Sequence, residues 1–331
     1  MASLTNMNYI KIIAAVIALL AAVSTPAQTL PSTESVRVKE FYRLTGEIQD
    51  KVWTGWSQTA APILLITKDL EFLIHFPNPP KQFAGAGDDV YTRARQFPPN
   101  LQATFPAFGP PSVIAVGTAE ETDSKTSTAW LLMLMHEHFH QLQDSQPDFY
   151  KKVDELGLSH GDSSGMWMLN FPFPYEKPAV AESFAKLRDL LLRALKQPDE
   201  TSFGKLAQDY LRQRHAFFAK VSPEERKYFE FQLWKEGIAR YTEVKCAEVA
   251  AHYQPSVEFS RLPDYKPFAS EGADARQRTL AELKQTDLAK SKRISVYAFG
   301  AAEGFFLDRY KPNWKNSYFE HPFSMNSYFG Q

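Results

Sequence analysis

The chain has 331 residues, of which 44% are apolar, so it is long enough to form one large hydrophobic core or two small ones. Its formal net charge is −1, and so the charge balance does not indicate a nucleic acid or an anionic membrane surface as a partner. Because Cys246 is the only cysteine, an intramolecular disulfide is excluded, and we expect this residue to be a small buried side chain on a helix.

The first 27 residues have the pattern of a secretory signal peptide. Lys11 is the only charged residue in this segment, and the apolar stretch 12–23 is too short for a relaxed membrane span. Thr25-Pro26-Ala27 offers small residues for cleavage. We therefore expect an exported protein, periplasmic or secreted, with no stable membrane span after cleavage. An uncleaved membrane anchor is the alternative.

The first half of the mature chain is predicted to contain two helices and a small β element. In chain order, the apolar pattern predicts a helix over 32–53, a β-hairpin over 63–76, a buried strand over 112–118 and a second helix that ends near Gln143. Residues 77–111 contain eight prolines and predict an ordered but irregular loop. Several N-cap candidates for the second helix occur within 122–127.

The second half of the chain is predicted to be helical. Helices are expected over 178–197, 201–220, 223–253, 273–290 and 295–310. The long helix at 223 opens with Ser222-Pro223-Glu224-Glu225, which is a capping box with proline at the first helical position. The aromatic segment 144–175 could line a substrate cleft or pack as a hydrophobic loop over the core, and 311–331 is predicted to be an irregular tail.

These elements predict a predominantly helical α+β fold. An N-terminal α/β part would comprise residues 28–145, and a helical part would comprise 146–331.

One pentapeptide in the second helix has the pattern of a metal site. Its sequence is His136-Glu137-His138-Phe139-His140, inside an apolar run without glycine or proline. Residues four apart share a helix face, so His136 and His140 can bind one ion with Glu137 beside them. This is the signature of zinc proteases, in which the glutamate takes a proton from water. The alternative is an amphipathic helix whose histidines have partners near the core.

His138 lies about 200° around the helix from His136. We expect it to support the ligands or to lie on the surface rather than to bind metal.

A catalytic zinc site has three protein ligands and one open position. A metzincin would carry glycine and histidine where Gln143 and Gln146 stand, so that class is excluded. The alternative is a glutamate on a second helix, and the segment 234–243 is the candidate.

The sequence Glu-Gly-x-Ala-x-Tyr-x-Glu at 236–243 resembles the third-ligand helix of the gluzincins, above all of the aminopeptidase N family. The resemblance implies that Glu236 coordinates zinc and that Gly237 allows close helix packing. A later segment, Tyr297-Ala298-Phe299-Gly300-Ala301-Ala302, resembles the Tyr-x-x-Gly-Ala stretch of the same family. This implies that Tyr297 donates a hydrogen bond to the oxyanion of the tetrahedral intermediate. The β part and motif helix would then form one half of a zincin-like fold, and the later helices the other.

The sequence does not assign a single role to several charged residues. Glu243 and Glu248 are further candidates for the third ligand, and Glu236 would then be a surface carboxylate. Asp144, Arg240 and Glu243 could orient the histidines. Glu120 or Glu121 could bind a free amine, although a solvated loop carboxylate is the more ordinary role.

We therefore expect an exported zinc-dependent peptidase of gluzincin type, acting on a peptide or protein substrate with Glu137 as general base. One alternative is a zinc hydrolase that acts on a non-peptide amide or on cell-wall material. Another is a catalytically silent zincin fold that binds partners through the aromatic segments 144–175 and 311–331.

Overall fold

We describe the protein from a computed structural model, which covers residues 29–330. The signal peptide predicted over 1–27 lies outside these residues. Within the described part, no helix is long and apolar enough to cross a membrane. The protein has an α+β structure that is 57% helical and contains a small mixed sheet, which confirms the predicted predominantly helical α+β class.

The long helices agree with the apolar pattern of the sequence, although the helix predicted over 273–290 begins and ends five residues earlier and four short helices were not predicted. Within residues 29–330 the helices are α1 (Ser32–Val52), α2 (Ser127–Asp144), α3 (Phe149–Asp154), α4 (Trp167–Asn170), α5 (Pro178–Lys196), α6 (Glu200–Phe218), α7 (Pro223–Gln232), α8 (Ile238–Ala250), α9 (Val257–Ser260), α10 (Phe268–Gln285), α11 (Leu288–Ser291) and α12 (Ser295–Tyr310). The predicted capping box at Ser222 is present, with both of its hydrogen bonds.

The prediction of one continuous helix over 223–253 is wrong at one point. A π-helical turn, Leu233–Gly237, joins α7 to α8. Apolar periodicity does not predict the extra residue of this turn, because the residues that precede and follow the turn are buried as they would be in a regular helix. Glu236 lies inside the turn, and π-helical turns often occur at functional sites.

The sheet has six strands in the order β3-β4-β2-β1-β6-β5. They are β1 (Ile63–Ile66), β2 (Leu70–Ile74), β3 (Ala84–Gly87), β4 (Val90–Ala94), β5 (Gln102–Phe105) and β6 (Val113–Gly117). The predicted hairpin is β1 with β2, and the predicted buried strand is β6, which pairs in parallel with β1. The other neighbouring strands are antiparallel.

The prediction of an irregular loop over 77–111 is wrong, because β3, β4 and β5 lie within it. These strands are short and partly exposed, so they lack an apolar signal of their own. Hydrogen bonds to the buried strands β2 and β6 hold β4 and β5 in place. The prolines flank β5 rather than interrupt it, as expected for residues that cannot donate to a ladder.

Both faces of the central strands β1, β2 and β6 are covered. In β1, Ile63 and Leu65 pack into the main helical core, whereas Leu64 and Ile66 face a smaller cluster that contains several aromatic side chains. This explains why β1 and β6 read as continuous apolar runs. The main core extends from Val38 in α1 to Phe329 in the tail, so the two predicted parts, 28–145 and 146–331, share one core.

Two glycines bring the helical segments of the site into contact. A Cβ atom added to Gly237 would lie 2.7 Å from the Cα atom of Gly300, so the π-helical turn and α12 meet backbone to backbone. This confirms the close packing expected at Gly237. The middle of α12 is fixed by Glu303, which accepts a hydrogen bond at 2.7 Å from the buried Arg214 of α6.

We predict that Gly237→Ala lowers the free energy of unfolding by about 1–3 kcal/mol, because the added methyl group must separate two packed backbones. Urea denaturation measures the change. Gly204→Ala is the matched control, since Gly204 lies within α6 with no atom near its Cβ position. That substitution is expected to raise stability by about 0.5–1 kcal/mol. Equal denaturation midpoints for the two variants would contradict the close contact.

Candidate metal centre

Helix α2 holds the pentapeptide in the centre of the molecule. Of its 18 residues, 16 are buried, so its polar side chains need partners inside the protein. Two side chains cap its first turn. Thr126 accepts a hydrogen bond from the backbone N–H of Ala129, and the Asp264 carboxylate accepts one from the N–H of Ser127 at 2.7 Å. A capped, buried helix gives the pentapeptide a fixed position.

The three predicted ligands lie together. The Oε2 atom of Glu236 lies 3.3 Å from Nε2 of His140 and 3.7 Å from Nε2 of His136. Donor atoms of the three residues all lie within 4.8 Å of one another. Around a tetrahedral zinc ion with bonds of about 2.0–2.1 Å, neighbouring donors lie about 3.4 Å apart. The two spacings to Glu236, 3.3 and 3.7 Å, are therefore close to those around a single tetrahedral ion.

The second ring nitrogen of each histidine also faces a polar side chain. Nδ1 of His136 lies 3.3 Å from the Glu243 carboxylate, and Nδ1 of His140 lies 2.7 Å from Oε1 of Gln143. Arg240 in turn donates to Glu243 at 3.0 Å. These contacts turn both Nε2 atoms toward Glu236, as outer partners of metal-binding histidines do.

The geometry distinguishes the residues that the sequence left open as a third ligand or as partners of the histidines. Glu243 contacts His136 directly, and Arg240 acts through Glu243. Asp144 instead pairs with Lys235 at 3.2 Å. Glu248 pairs with Lys245 and Arg276, so it is not grouped with the two histidines.

The carboxylates near the histidines favour positive charge. Burial opposes protonation of His136, but hydrogen bonds and charge from Glu236 and Glu243 outweigh it and raise its pKa to about 9. Burial also works against ionisation of Glu236, yet the two histidines hold its pKa well below the usual range. The pKa of Glu243 is lowered to about 2 because Arg240 and His136 outweigh the effect of its burial. The carboxylates around the two histidines therefore stabilise positive charge on His136.

Glu137 is held by a residue that the sequence did not identify. Its side chain is buried, and the hydroxyl of Thr104 donates to its Oε2 atom at 2.8 Å, with the backbone carbonyl oxygen of Glu137 at 3.0 Å as the second acceptor. Thr104 belongs to β5, inside the segment that was predicted to be an irregular loop. No local pattern marks Thr104, because its partner lies 33 residues further along the chain.

Tyr297 lies beside the histidines. Its ring stacks on that of His136 with the centroids 6.1 Å apart and the planes 19° apart. Its hydroxyl accepts a hydrogen bond from Nη1 of Arg293 at 3.2 Å. Burial raises the pKa of Tyr297, so the hydroxyl keeps its proton and remains able to donate it in a hydrogen bond.

The expectation that His138 could lie on the surface is wrong, because α2 is buried on nearly all sides. Its Nδ1 atom lies 2.8 Å from Gln141, and its Nε2 atom lies 2.9 Å from Gln49 of α1. Burial lowers its pKa to about 4, so the ring is neutral. His138 therefore has two amide partners and stacks on Trp56 in the core.

Glu120 forms a two-point ion pair with the buried Arg37, at 2.6 and 3.0 Å. Neither Glu120 nor Glu121 is among the described residues that line the cleft around the histidines.

A cleft of 1010 Å³ gives access to these residues. One wall is β5, the edge strand of the sheet, and the opposite walls include the π-helical turn and α12. The segment 144–175 supplies part of the lining of this cleft, which was one of the two roles predicted for it. Three of the large apolar side chains that remain exposed lie there, namely Tyr150, Met166 and Leu169.

Comparison of the chain with sequence models of known families, with curated proteins and with solved structures found no match. The resemblance to the aminopeptidase N family therefore rests on three short segments, 136–140, 236–243 and 297–302.

Proposed function

We propose that this chain is an exported zinc-dependent peptidase with a zincin-like fold of the gluzincin type. The observation that carries the proposal is the convergence of His136, His140 and Glu236, with Glu137 and Tyr297 beside them in one cleft. Export rests on the signal peptide pattern of residues 1–27 alone.

The donor chemistry fits zinc. Two imidazoles and one carboxylate form a known ligand set of catalytic zinc sites. His136 and His140 would bind through Nε2, since the other ring nitrogens face Glu243 and Gln143. When bound, zinc supplies Lewis-acid polarisation of a carbonyl group and lowers the pKa of a water molecule.

The remaining residues act on the reacting groups. Glu137 accepts the proton of the attacking water and passes it to the leaving amine. The hydrogen bond from Thr104 selects one orientation of the Glu137 carboxylate and leaves its other oxygen to accept the proton. Tyr297 donates a hydrogen bond to the oxyanion that develops at the substrate carbonyl.

The cleft favours a peptide over other amides. β5 is the outer strand of the sheet, so one row of its backbone N–H and C=O groups is not paired within the sheet. An extended peptide can pair with such an edge as an added strand. Because Thr104 of β5 contacts Glu137, a peptide paired there would pass next to the general base. The apolar side chains Tyr150, Met166 and Leu169 could receive its side chains.

We predict that the purified protein binds about one zinc ion per chain and that Glu236→Ala loses most of it, because a tetrahedral site would keep only two protein ligands. Mass spectrometry of the native protein, with and without added zinc, measures the occupancy. Glu248→Ala is the matched control, since Glu248 lies on the neighbouring helix and pairs with Lys245 and Arg276. An unoccupied parent protein after zinc is supplied would defeat the proposal.

We predict that Glu137→Gln keeps the zinc but lowers kcat by about 10²–10⁴-fold, the usual effect of a general base. Internally quenched peptides report peptidase turnover, and cell-wall glycopeptide fragments in the same screen test the alternative substrate class. Cleavage at the parent rate by the variant would rule out the role of Glu137.

We predict that Thr104→Val lowers kcat by about 10-fold or more and leaves zinc content unchanged, because it removes a hydrogen bond to a charged group while preserving shape. Thr104→Ser restores the hydroxyl and should recover most of kcat. If the serine variant is as slow as the valine variant, Thr104 contributes through packing and not through its hydrogen bond.

A further inference from the structure

The positive charges that line the cleft differ in their partners. Four cationic side chains line it, namely Lys235, Arg240, Arg278 and Arg293. The first three form ion pairs at 3.0 to 3.2 Å with Asp144, Glu243 and Glu271, respectively. Among residues 29–330, Arg293 forms no ion pair with a carboxylate. It is therefore the cation of this cleft whose charge is not matched by a direct partner.

Arg293 is held toward the site by Tyr297. Arg293 lies in the short 3-10 helical turn Lys292–Ile294, which immediately precedes α12. Its Nη1 atom donates to the Tyr297 hydroxyl at 3.2 Å, and its guanidinium carbon lies 5.6 Å from the centre of that ring. Since Tyr297 stacks on His136, this arrangement places the guanidinium beside the proposed reaction centre.

The nearby negative charge belongs to Glu236. That carboxylate acts electrostatically on Arg293, but the two side chains form no ion pair. In the proposed function, Glu236 is a zinc ligand, so its charge is compensated by the ion. The guanidinium would then face the cleft without a counter-charge from the protein.

The chemistry of the side chain indicates what it would bind. A guanidinium carries five N–H donors in a planar fork, and only one donor here has a hydrogen-bond partner among the described residues. The fork matches the two oxygens of a carboxylate, and paired charge-assisted hydrogen bonds of this kind are strong and selective.

We propose that Arg293 recognises a carboxylate of the peptide substrate, on the side of the scissile bond next to Tyr297. A carboxylate can come from the C-terminus of the peptide or from an acidic side chain. Recognition of the C-terminus would make the protein an exopeptidase that acts from that end. This inference rests on the proposed peptidase function, but it can be tested by binding alone.

The experiment compares three ligands of one size. They are N-acetyl-Phe-Leu with a free carboxylate, the same compound as its C-terminal amide, and N-acetyl-Phe-Glu amide, which carries only a side-chain carboxylate. Calorimetry with zinc-supplied protein in the Glu137→Gln background gives each Kd without turnover. We expect one carboxylate ligand to bind about 10- to 100-fold more tightly than the neutral amide.

The variant Arg293→Gln is expected to abolish this preference and leave the Kd of the neutral amide unchanged, which also shows that the variant is folded. Arg293→Lys should keep part of the preference. Arg278→Gln is the matched control, because Arg278 lines the same cleft but is paired with Glu271, and it should keep the full preference.

The tighter carboxylate ligand identifies the source of the recognised group, and either source supports the proposal. Equal Kd values for all three ligands in the parent would overturn it. So would an equal weakening of acid and amide by Arg293→Gln, since that result assigns Arg293 to the positioning of Tyr297. A protein that binds no zinc or cleaves no peptide would defeat the proposed function, and the ligand preference is read independently of both.

Discussion

The geometry of the candidate site depends on the contact between Gly237 and Gly300. Glu236 immediately precedes the first glycine, and Tyr297 lies one helical turn before the second. With no Cβ atom between them, the two backbones meet, and the distance between these two side chains is fixed by main-chain contact. The π-helical turn widens the helix at the same point and so directs Glu236 away from the path of a regular α-helix.

A second constraint comes from the burial of α2. A buried polar side chain is costly without a hydrogen-bond partner, so each functional residue of this helix requires one. These neighbours come from both near and distant parts of the chain. Thr104 of β5 donates a hydrogen bond to Glu137, the Glu243 carboxylate of α8 lies 3.3 Å from Nδ1 of His136, and Gln143 of α2 itself pairs with His140. The requirement that keeps α2 stable therefore also sets the orientation of the proposed ligands.

The separation along the chain between interacting residues explains what could be predicted from sequence. His136, Glu137 and His140 were found because their relation is local, a helix period of four residues. Glu236 was found only through its resemblance to a known motif, since it lies on a separate helical segment. Thr104 and the unmatched charge of Arg293 have no local signal. They become visible only when residues far apart in the sequence are placed together.

The strands in 77–111 were missed for a related reason. β4 and β5 are stabilised by hydrogen bonds to the buried strands β2 and β6 rather than by their own apolar pattern. Propensity is a weak guide for such strands, because their neighbours determine their conformation. The error concerned the candidate site, since β5 forms a wall of the cleft and carries Thr104.

The proposed metal site and the proposed role of Arg293 are linked by charge. In the holoenzyme, the two charges of zinc would balance the carboxylates of Glu137 and Glu236, whereas Glu243 is already paired with Arg240. The guanidinium of Arg293 is then the excess charge next to the reaction centre, and an anionic group of the substrate restores neutrality. By thermodynamic linkage, the metal and a bound carboxylate would each strengthen the binding of the other. Selectivity for an anionic substrate group would thus follow because zinc compensates the charge of the nearby carboxylates and leaves the charge of Arg293 unmatched.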